Sequence, residues 1–388
     1  MKDRQPMRLK MSCVLIAAGV FAAACGSGDT AEPSTSVSST SVAPVSSTTV
    51  APVSSTTVAP VSSTTVARPV FESLDELAEY RYAGGLGAVI VGVFEESSMH
   101  VAGIGEDGDG VAVDGDRPWH TASLAKVFTA AAVLQLVDDG SIDLDGPIAD
   151  YVDFPVSDQI TVRHVLAHRS NIRDIRPVQC SDQTRVEEVI ELAGLPTEPS
   201  ETTDYSNSNY ILLGLVIGSV TGQDPGDYIR DRVFTPLGMS STYWYESQTG
   251  PRPWFRNVES VDSFGSYDCG EPGPTIGTDG GAITTLADID AFYRGLFNGA
   301  IIEAGTLAAM LEMNGELFGD GYGLGIGQIT NDAFPDERLY GFGGDGGFFG
   351  TMAFHDPDKQ RTVAMFFTQG DRMNIFWDLV AWANQNSG

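Results

Sequence analysis

From about residue 70 onward, the apolar positions of the chain follow a strand-like spacing near both ends and a helical spacing between them. Strand-like apolar runs occur at 87–94, 99–104, 323–329, 349–355 and 362–368. Helical spacing predicts helices at 71–82, 186–193, 210–221, 225–233, 286–297 and 374–384. This order predicts an α+β fold, in which the N- and C-terminal segments form an antiparallel sheet that is flanked by helices and carries an inserted, mainly helical lobe.

The segment 120–136 has the most continuous helical pattern. It is rich in Ala and Leu, contains neither Pro nor Gly, and is followed by Gly140 where a helix end is expected. Apolar residues occupy nearly every face of this helix, which predicts that it is buried. Ser123 and Lys126 break the pattern near its start and share one face, with their Cβ atoms roughly 5–6 Å apart.

Lysine is rare in this chain, so its place in an apolar helix is informative. Only four of the 22 basic residues are lysines, at positions 2, 10, 126 and 359. A desolvated lysine can lose its proton, whereas arginine cannot. Lys126 is therefore a candidate base beside a candidate nucleophile, Ser123, at the positive end of a helix dipole. The alternative is structural: Ser123 caps the helix and Lys126 extends its amine to solvent.

A second polar element, Asp-Tyr-Ser-Asn-Ser-Asn-Tyr-Ile-Leu-Leu-Gly, occupies residues 204–214. Together with the Ser-x-x-Lys helix, it resembles the serine β-lactamase and penicillin-binding protein superfamily, and within it the class C-related branch of D-Ala-D-Ala carboxypeptidases and esterases. Further segments that resemble this family are 134–147, 160–170, 278–288, 299–307 and 321–325. The resemblance spans roughly residues 71–388 and implies a β-lactamase-like fold.

The resemblance also implies residue roles. Ser123 would be the nucleophile, and Tyr205 would shuttle protons or share the role of base with Lys126. Asn207 would orient either the substrate or Lys126. The alternative for the second element is an Asn-rich helix start in which Tyr205 only packs.

The third family motif is changed in this chain. The family carries Lys-Thr-Gly or His-x-Gly on a strand beside the active site, whereas the corresponding segment here is 340–350, with Phe342 at the position of the cation and Gly343, Gly344 and Asp345 after it. Phenylalanine can neither bind a carboxylate nor move a proton. The motif residues are expected to contact substrate, and the N–H groups of Ser123 and Asp345 are expected to form an oxyanion hole. Two alternatives stay open: Phe342 is a core aromatic in a misaligned strand, or Arg372 replaces the missing cation.

Composition and charge limit the classes of partner. The chain has 388 residues and a formal net charge of −30, which argues against binding nucleic acid or an anionic membrane surface. The histidines form no His-Glu-x-x-His and no zinc-type spacing with cysteine. We therefore expect neither a metal nor another cofactor.

The N-terminal part predicts export. Residues 1–25 combine a basic start, a short apolar stretch and small residues before Cys25, as in a lipoprotein signal peptide with Cys25 lipidated. Ordinary secretory cleavage nearby is the alternative. Residues 26–69 contain an Ala-Pro-Val-Ser-Ser-Thr-Thr-Val repeat and predict a disordered linker, and residues 70–388 form the predicted catalytic domain. Cys180 and Cys269 remain in the exported part, where a disulfide between them is a hypothesis.

These observations predict a cell-surface serine hydrolase that forms an acyl-enzyme on Ser123. Its substrate would be an ester or amide, as for an esterase, a D-Ala-type carboxypeptidase or a β-lactamase-like enzyme. The expected partner is a small molecule or a peptidoglycan-type substrate, and the membrane is contacted only through the lipid anchor. The alternative is a weakly active or inactive cell-wall-binding lipoprotein on the same fold.

Overall fold

An antiparallel sheet of eight strands lies at the centre of the computed structural model, which describes residues 68–82, 87–152, 156–174, 198–244, 277–346, 349–368 and 371–386. In chain order the strands are β1 (Gly87–Phe94), β2 (Met99–Glu106), β3 (Trp119–His120), β4 (Tyr243–Trp244), β5 (Ala282–Thr284), β6 (Gly315–Leu317), β7 (Asp320–Tyr322), β8 (Gly327–Ile329), β9 (Leu339–Asp345), β10 (Gly350–Asp356) and β11 (Arg361–Phe367). The order across the large sheet is β2-β1-β11-β10-β9-β8-β7-β6, and β3, β5 and β4 form a small second sheet.

Helices cover both faces of the large sheet. In chain order they are α1 (Leu74–Tyr82), α2 (Ala125–Asp138), α3 (Val162–Leu166), α4 (Asn207–Thr221), α5 (Pro225–Ile229), α6 (Leu286–Phe297), α7 (Ala304–Met310) and α8 (Arg372–Asn386). Among the residues described, no helix is long and apolar enough to cross a membrane.

The alternation of side chains along β1 shows why the strand is apolar throughout. Val89, Val91 and Val93 pack into a cluster with α1 and α8 on one face. Ala88 and Ile90 face the larger cluster on the other side, which includes α2, α4 and α6. Because successive side chains of a strand point to opposite faces, a strand covered on both sides reads as a continuous apolar run. The predicted α+β fold is therefore confirmed, with strands from both ends of the chain in one sheet.

Several predicted elements differ from the observed ones in extent. The helix predicted from residue 120 begins as an α-helix only at Ala125, because β3 and a 3₁₀ turn at Ala122–Leu124 precede it. The strand predicted at 323–329 is reduced to β8, and the helix predicted at 225–233 passes from α5 into a π-helical turn at Arg230–Phe234. Strands β3 to β7 were not among the predicted strand runs, and β9 was expected only from the resemblance of residues 340–350 to the family's motif strand.

Some predictions concern residues outside those described. These are the helix at 186–193, the signal peptide with Cys25, the linker, and the cysteines Cys180 and Cys269. They stay predictions.

A buried carboxylate joins the two terminal helices of the domain. Asp378 on α8, with 1% of its side chain exposed, forms ion pairs with Arg81 on α1 and with Arg68, whose Nη1 lies 3.1 Å from Asp378 Oδ1. The arginines retain access to water, so they lose little hydration while the carboxylate is held by two cations. The pairs fix α1 against α8 behind the sheet.

We expect Asp378→Ala to lower the free energy of unfolding by about 2–3 kcal/mol, because two partly buried guanidinium groups lose their counter-charge. Urea unfolding followed by circular dichroism measures this. Asp231→Ala, which removes an ion pair whose carboxylate is 53% exposed, should change the unfolding free energy by less than about 0.5 kcal/mol. Equal effects of the two variants would contradict the role assigned to Asp378.

Candidate active site

The candidate nucleophile lies on a strained turn between β3 and α2. Ala122, the residue before Ser123, has φ 47°, a conformation that L-residues rarely adopt. The Ala122 N–H donates to His120 Nδ1 at 3.1 Å. Burial lowers the pKa of His120 to about 4, so the imidazole is neutral near pH 7 and its Nδ1 can accept this bond. The neutral ring thus supports the turn that presents Ser123.

Thr121 fixes the same turn to both sheets. Its N–H and its hydroxyl both donate to the carbonyl oxygen of Ala282 on β5, at 2.9 and 2.8 Å. Its own carbonyl oxygen accepts a hydrogen bond from the hydroxyl of Thr351 on β10 at 2.8 Å. Strain at one residue persists only when the surroundings hold it in place, and these bonds do so.

Lys126 is completely buried one helical turn after Ser123. Its Nζ donates to Asn207 Oδ1 at 2.8 Å and to the carbonyl oxygen of Asp279 at 2.5 Å, and it lies 3.1 Å from Ser123 Oγ. Three separate parts of the chain therefore meet at this amine, and the oxygens that bind it are all neutral. The alternative in which Lys126 extends to solvent is wrong.

Tyr205 completes the cluster from the segment before α4. Its hydroxyl lies 2.5 Å from Ser123 Oγ and donates to Asn207 Oδ1 at 3.1 Å. Lys126 Nζ lies 5.1 Å from the centre of the Tyr205 ring. The four residues Ser123, Lys126, Tyr205 and Asn207, predicted from two distant motifs, are thus brought into one hydrogen-bonded group.

Asp174 orients Asn207 and was not recognised in the sequence. Its Oδ1 accepts the Asn207 N–H at 2.8 Å, and its Oδ2 lies 3.5 Å from Asn207 Nδ2. An amide nitrogen facing Asp174 leaves the amide oxygen facing Lys126 and Tyr205. No local sequence pattern marks an aspartate that acts from a loop 33 residues away.

His168 supports Tyr205 from behind. Its ring centre lies 4.7 Å from that of Tyr205, and its Nδ1 accepts hydrogen bonds from Ser206 N at 3.3 Å and Asn209 Nδ2 at 3.1 Å. Burial lowers the pKa of His168 well below its usual value, and the charge of a protonated Lys126 lowers it further. A neutral histidine can thus accept both bonds and hold Tyr205 at the start of α4.

Strand β9 brings the third motif against the nucleophile turn at Gly344. A Cβ atom on Gly344 would lie 2.2 Å from the carbonyl oxygen of Thr121 and 3.0 Å from Ala122 Cβ. Only glycine permits this approach. Gly343 precedes it on the same strand, and Asp345, which ends β9, is exposed and forms an ion pair with Arg372, with 3.5 Å between Oδ2 and Nη1.

Phe342 packs into the core beside the site. It is 8% exposed, and its ring centre lies 5.6 Å from that of Tyr322. Tyr322 in turn lies beside His168, with ring centres 5.5 Å apart. Phe342, where the resemblance led us to expect a cation, is therefore part of an aromatic layer. Within the described residues, no group of three or more His, Cys, Asp or Glu side chains could hold a metal ion.

A serine just before a helix, a buried lysine one turn later and a tyrosine at the serine hydroxyl agree with the family resemblance found in the sequence. The family model for Beta-lactamase matches residues 74–376. The chain belongs to the β-lactamase family. This finding confirms the resemblance to the serine β-lactamase and penicillin-binding protein superfamily.

Two similar proteins illustrate the breadth of this family. Penicillin-binding protein 4 of Amycolatopsis lactamdurans is 28% identical over 324 residues, which cover 74% of this chain and 82% of that protein. The crystal structure of D-amino acid amidase from Ochrobactrum anthropi SV3 with L-phenylalanine amide superposes with a TM-score of 0.69 at 26% identity, covering 81% of this chain and 98% of that one. Members of the family are serine hydrolases, among them amidases and penicillin-binding proteins.

We expect Gly344→Ala to reduce kcat/KM about 100-fold, because the new Cβ displaces the turn that holds Ser123 and a shift of about 1 Å at a reacting group costs this much. Steady-state hydrolysis of 4-nitrophenyl acetate measures it. Gly305→Ala on α7, where a Cβ would meet no atom within 4 Å, is the matched control and should retain full activity. Full activity of Gly344→Ala would show that the turn tolerates displacement.

We expect Asp174→Ala to lower kcat about tenfold with little change in KM, because Asn207 loses the partner that orients its amide towards Lys126. Asp174→Asn keeps an oxygen for the Asn207 N–H and should recover part of the activity. Asp158→Ala, at an exposed aspartate, serves as the control. A rise in KM without a fall in kcat would place Asp174 in substrate binding instead.

Proposed function

We propose that this protein hydrolyses an ester or amide through an acyl-enzyme on Ser123. The observation that carries the proposal is the hydrogen-bonded group in which Ser123 Oγ lies 3.1 Å from the Lys126 amine and 2.5 Å from the Tyr205 hydroxyl. A serine hydroxyl is a weak nucleophile until a neighbouring base accepts its proton. Two candidate proton acceptors are within hydrogen-bonding reach here, which meets the geometric requirement for general base catalysis.

In the neutral, reactive form of Lys126, its hydrogen bonds determine where the lone pair of the amine points. A neutral amine has two hydrogens and one lone pair. Asn207 Oδ1 and the carbonyl oxygen of Asp279 accept the two hydrogens, so the lone pair is directed at Ser123 Oγ. Lys126 then takes the proton of Ser123 as its oxygen attacks the substrate carbonyl, and Tyr205 passes a proton to the leaving group.

Backbone N–H groups would stabilise the negative oxygen of the tetrahedral intermediate. Ser123 supplies one from the start of the turn, and Asp345 supplies the second from the end of β9. The close approach of Gly344 to the Thr121 carbonyl brings these two backbone segments together. Such preorganised donors provide a large part of the rate in acyl transfer. Water then hydrolyses the acyl-enzyme and restores Ser123.

The surroundings favour a substrate without a carboxylate at the position of the family's third motif. Phe342 offers no charge there, and Arg372, the other candidate cation, already pairs with Asp345. Neutral esters and amides, or amides that carry an amino group, avoid this problem. The similarity to a D-amino acid amidase supports an amide, whereas the similarity to penicillin-binding protein 4 keeps a D-Ala peptide among the candidates.

The leader, the linker and Cys25 support a location on the outer face of the cell membrane, with the domain tethered by a lipid. A substrate of peptidoglycan type would be accessible there. The second candidate function is an inactive cell-wall-binding lipoprotein. The replacement of the family cation by Phe342 favours it, whereas the complete hydrogen-bonded group around Ser123 favours an active enzyme.

We expect Ser123→Ala to abolish hydrolysis and covalent labelling by a fluorophosphonate probe, because the reacting oxygen is removed. Tyr205→Phe should retain labelling but lower kcat about 100-fold or more, since proton transfer by one positioned group contributes at least this factor. Ser141→Ala, at an exposed serine, is the control.

The panel of substrates contains 4-nitrophenyl acetate, D-phenylalanine amide, a D-Ala-D-Ala peptide and a chromogenic cephalosporin. Unchanged turnover in Ser123→Ala would refute the acyl-enzyme, and an unlabelled wild type would favour the binding protein.

A further inference from the structure

The hairpin of β6 and β7 carries an aromatic residue in an unfavourable conformation. Its two connecting residues, Phe318 and Gly319, have φ 56° and 92°. Positive φ at both positions is typical of type I′ turns, in which Asn-Gly is the preferred sequence. Glycine adopts this conformation freely, whereas it is sterically unfavourable for a residue with a bulky side chain. The Phe318 backbone is therefore strained in the folded protein.

Burial does not offset this strain, because Phe318 is 79% exposed. The residues that anchor the hairpin are its neighbours: Leu317 is 6% exposed and Tyr322 is 1% exposed. Folding buries almost none of this aromatic ring, and the position prefers Asn or Gly. A contribution to stability therefore does not explain why Phe318 is present. Strain of this kind is found preferentially at functional sites.

The ring of Phe318 faces the catalytic group. Its centre lies 5.6 Å from the centre of the Tyr205 ring, and the Tyr205 hydroxyl is the one that contacts Ser123 Oγ. The base of the hairpin is also fixed to this segment, because a Cβ on Gly315 would lie 2.0 Å from Thr203 Oγ1. The hairpin therefore holds an exposed aromatic ring at a set position at the edge of the active site.

We propose that Phe318 determines substrate specificity by binding an uncharged apolar group next to the scissile carbonyl. The proposal rests on the hydrolase function proposed above and names the substrate class: esters or amides with an aromatic or large aliphatic group. A bound apolar group would cover the Phe318 ring and pack against it, and aromatic rings favour such contacts. Glu316 and Asp320, which flank the tip on the two strands, disfavour an anionic group at the same place.

The test compares Phe318→Asn and Phe318→Gly with the wild type. Both residues suit a positive φ, so these variants should fold, with melting temperatures equal to or above that of the wild type. Tyr80→Ala, at another exposed aromatic that is 58% exposed and lies on α1, is the matched control. The substrates vary one side of the bond at a time: 4-nitrophenyl phenylacetate against 4-nitrophenyl acetate for the acyl side, and phenyl acetate against methyl acetate for the leaving group.

We expect kcat/KM for the aromatic member of one pair to fall about five- to tenfold in both Phe318 variants, the size of one lost aromatic contact. Turnover of the small member should change less than about twofold. The substrate pair whose ratio of kcat/KM values changes shows whether Phe318 contacts the acyl group or the leaving group. If the small esters are hydrolysed but both ratios stay at their wild-type values, the role of Phe318 is refuted while the hydrolase function stands. If the wild type hydrolyses none of these esters and neither D-phenylalanine amide nor the D-Ala-D-Ala peptide, the hydrolase function itself is refuted.

Discussion

The candidate site depends on one buried amine. Burying an amino group away from water is costly unless its hydrogens find acceptors. Lys126 satisfies this requirement with oxygens from two distant segments, Asn207 and the carbonyl of Asp279. The same bonds that make burial tolerable also direct the amine at Ser123. Stability of the domain interior and assembly of the site are thus one requirement, because α2 cannot pack with Lys126 inside unless α4 and the Asp279 turn are in place.

Much of the fold follows from the sequence, but the parts nearest the site do not. β1, β10 and β11 are apolar runs covered on both faces, so the pattern found them. β9 contains glycines at 341, 343 and 344, which weaken any strand signal, although Gly344 is there because the nucleophile turn approaches so closely. β6 and β7 have three residues each, too few for a pattern. Sequence patterns therefore fail to predict strands where contacts at the candidate site, and not burial in the core, determine the backbone conformation.

The four residues of the candidate catalytic group were predicted from the sequence, and the structure brings them together, whereas the residues that support them were not predicted. The spacing of Ser123 and Lys126, three residues apart in a predicted helix, implies their proximity, whereas the roles of Tyr205 and Asn207 were implied by the resemblance of residues 204–214 to the family. Asp174, the Ala282 carbonyl and the Thr351 hydroxyl reach the group only through the tertiary fold. The strain at Ala122 is also invisible in the sequence, because alanine is otherwise the best helix former. Helix propensity predicted a helix through Ser123, and tertiary hydrogen bonds replaced its first turn with a 3₁₀ turn.

The replacement at Phe342 makes sense as part of a continuous aromatic layer. From the core outward, successive ring centres lie 5.6 Å apart for Phe342 and Tyr322, 5.5 Å for Tyr322 and His168, 4.7 Å for His168 and Tyr205, and 5.6 Å for Tyr205 and Phe318. A lysine at position 342 would place a cation among these rings, whose histidine is kept neutral by burial. An aromatic residue there instead continues the layer, which has a polar, hydrogen-bonded side facing Ser123 and an apolar side formed by rings. Under the proposed function, such a site would move a proton at Ser123 and bind uncharged apolar groups beside it in preference to a substrate carboxylate.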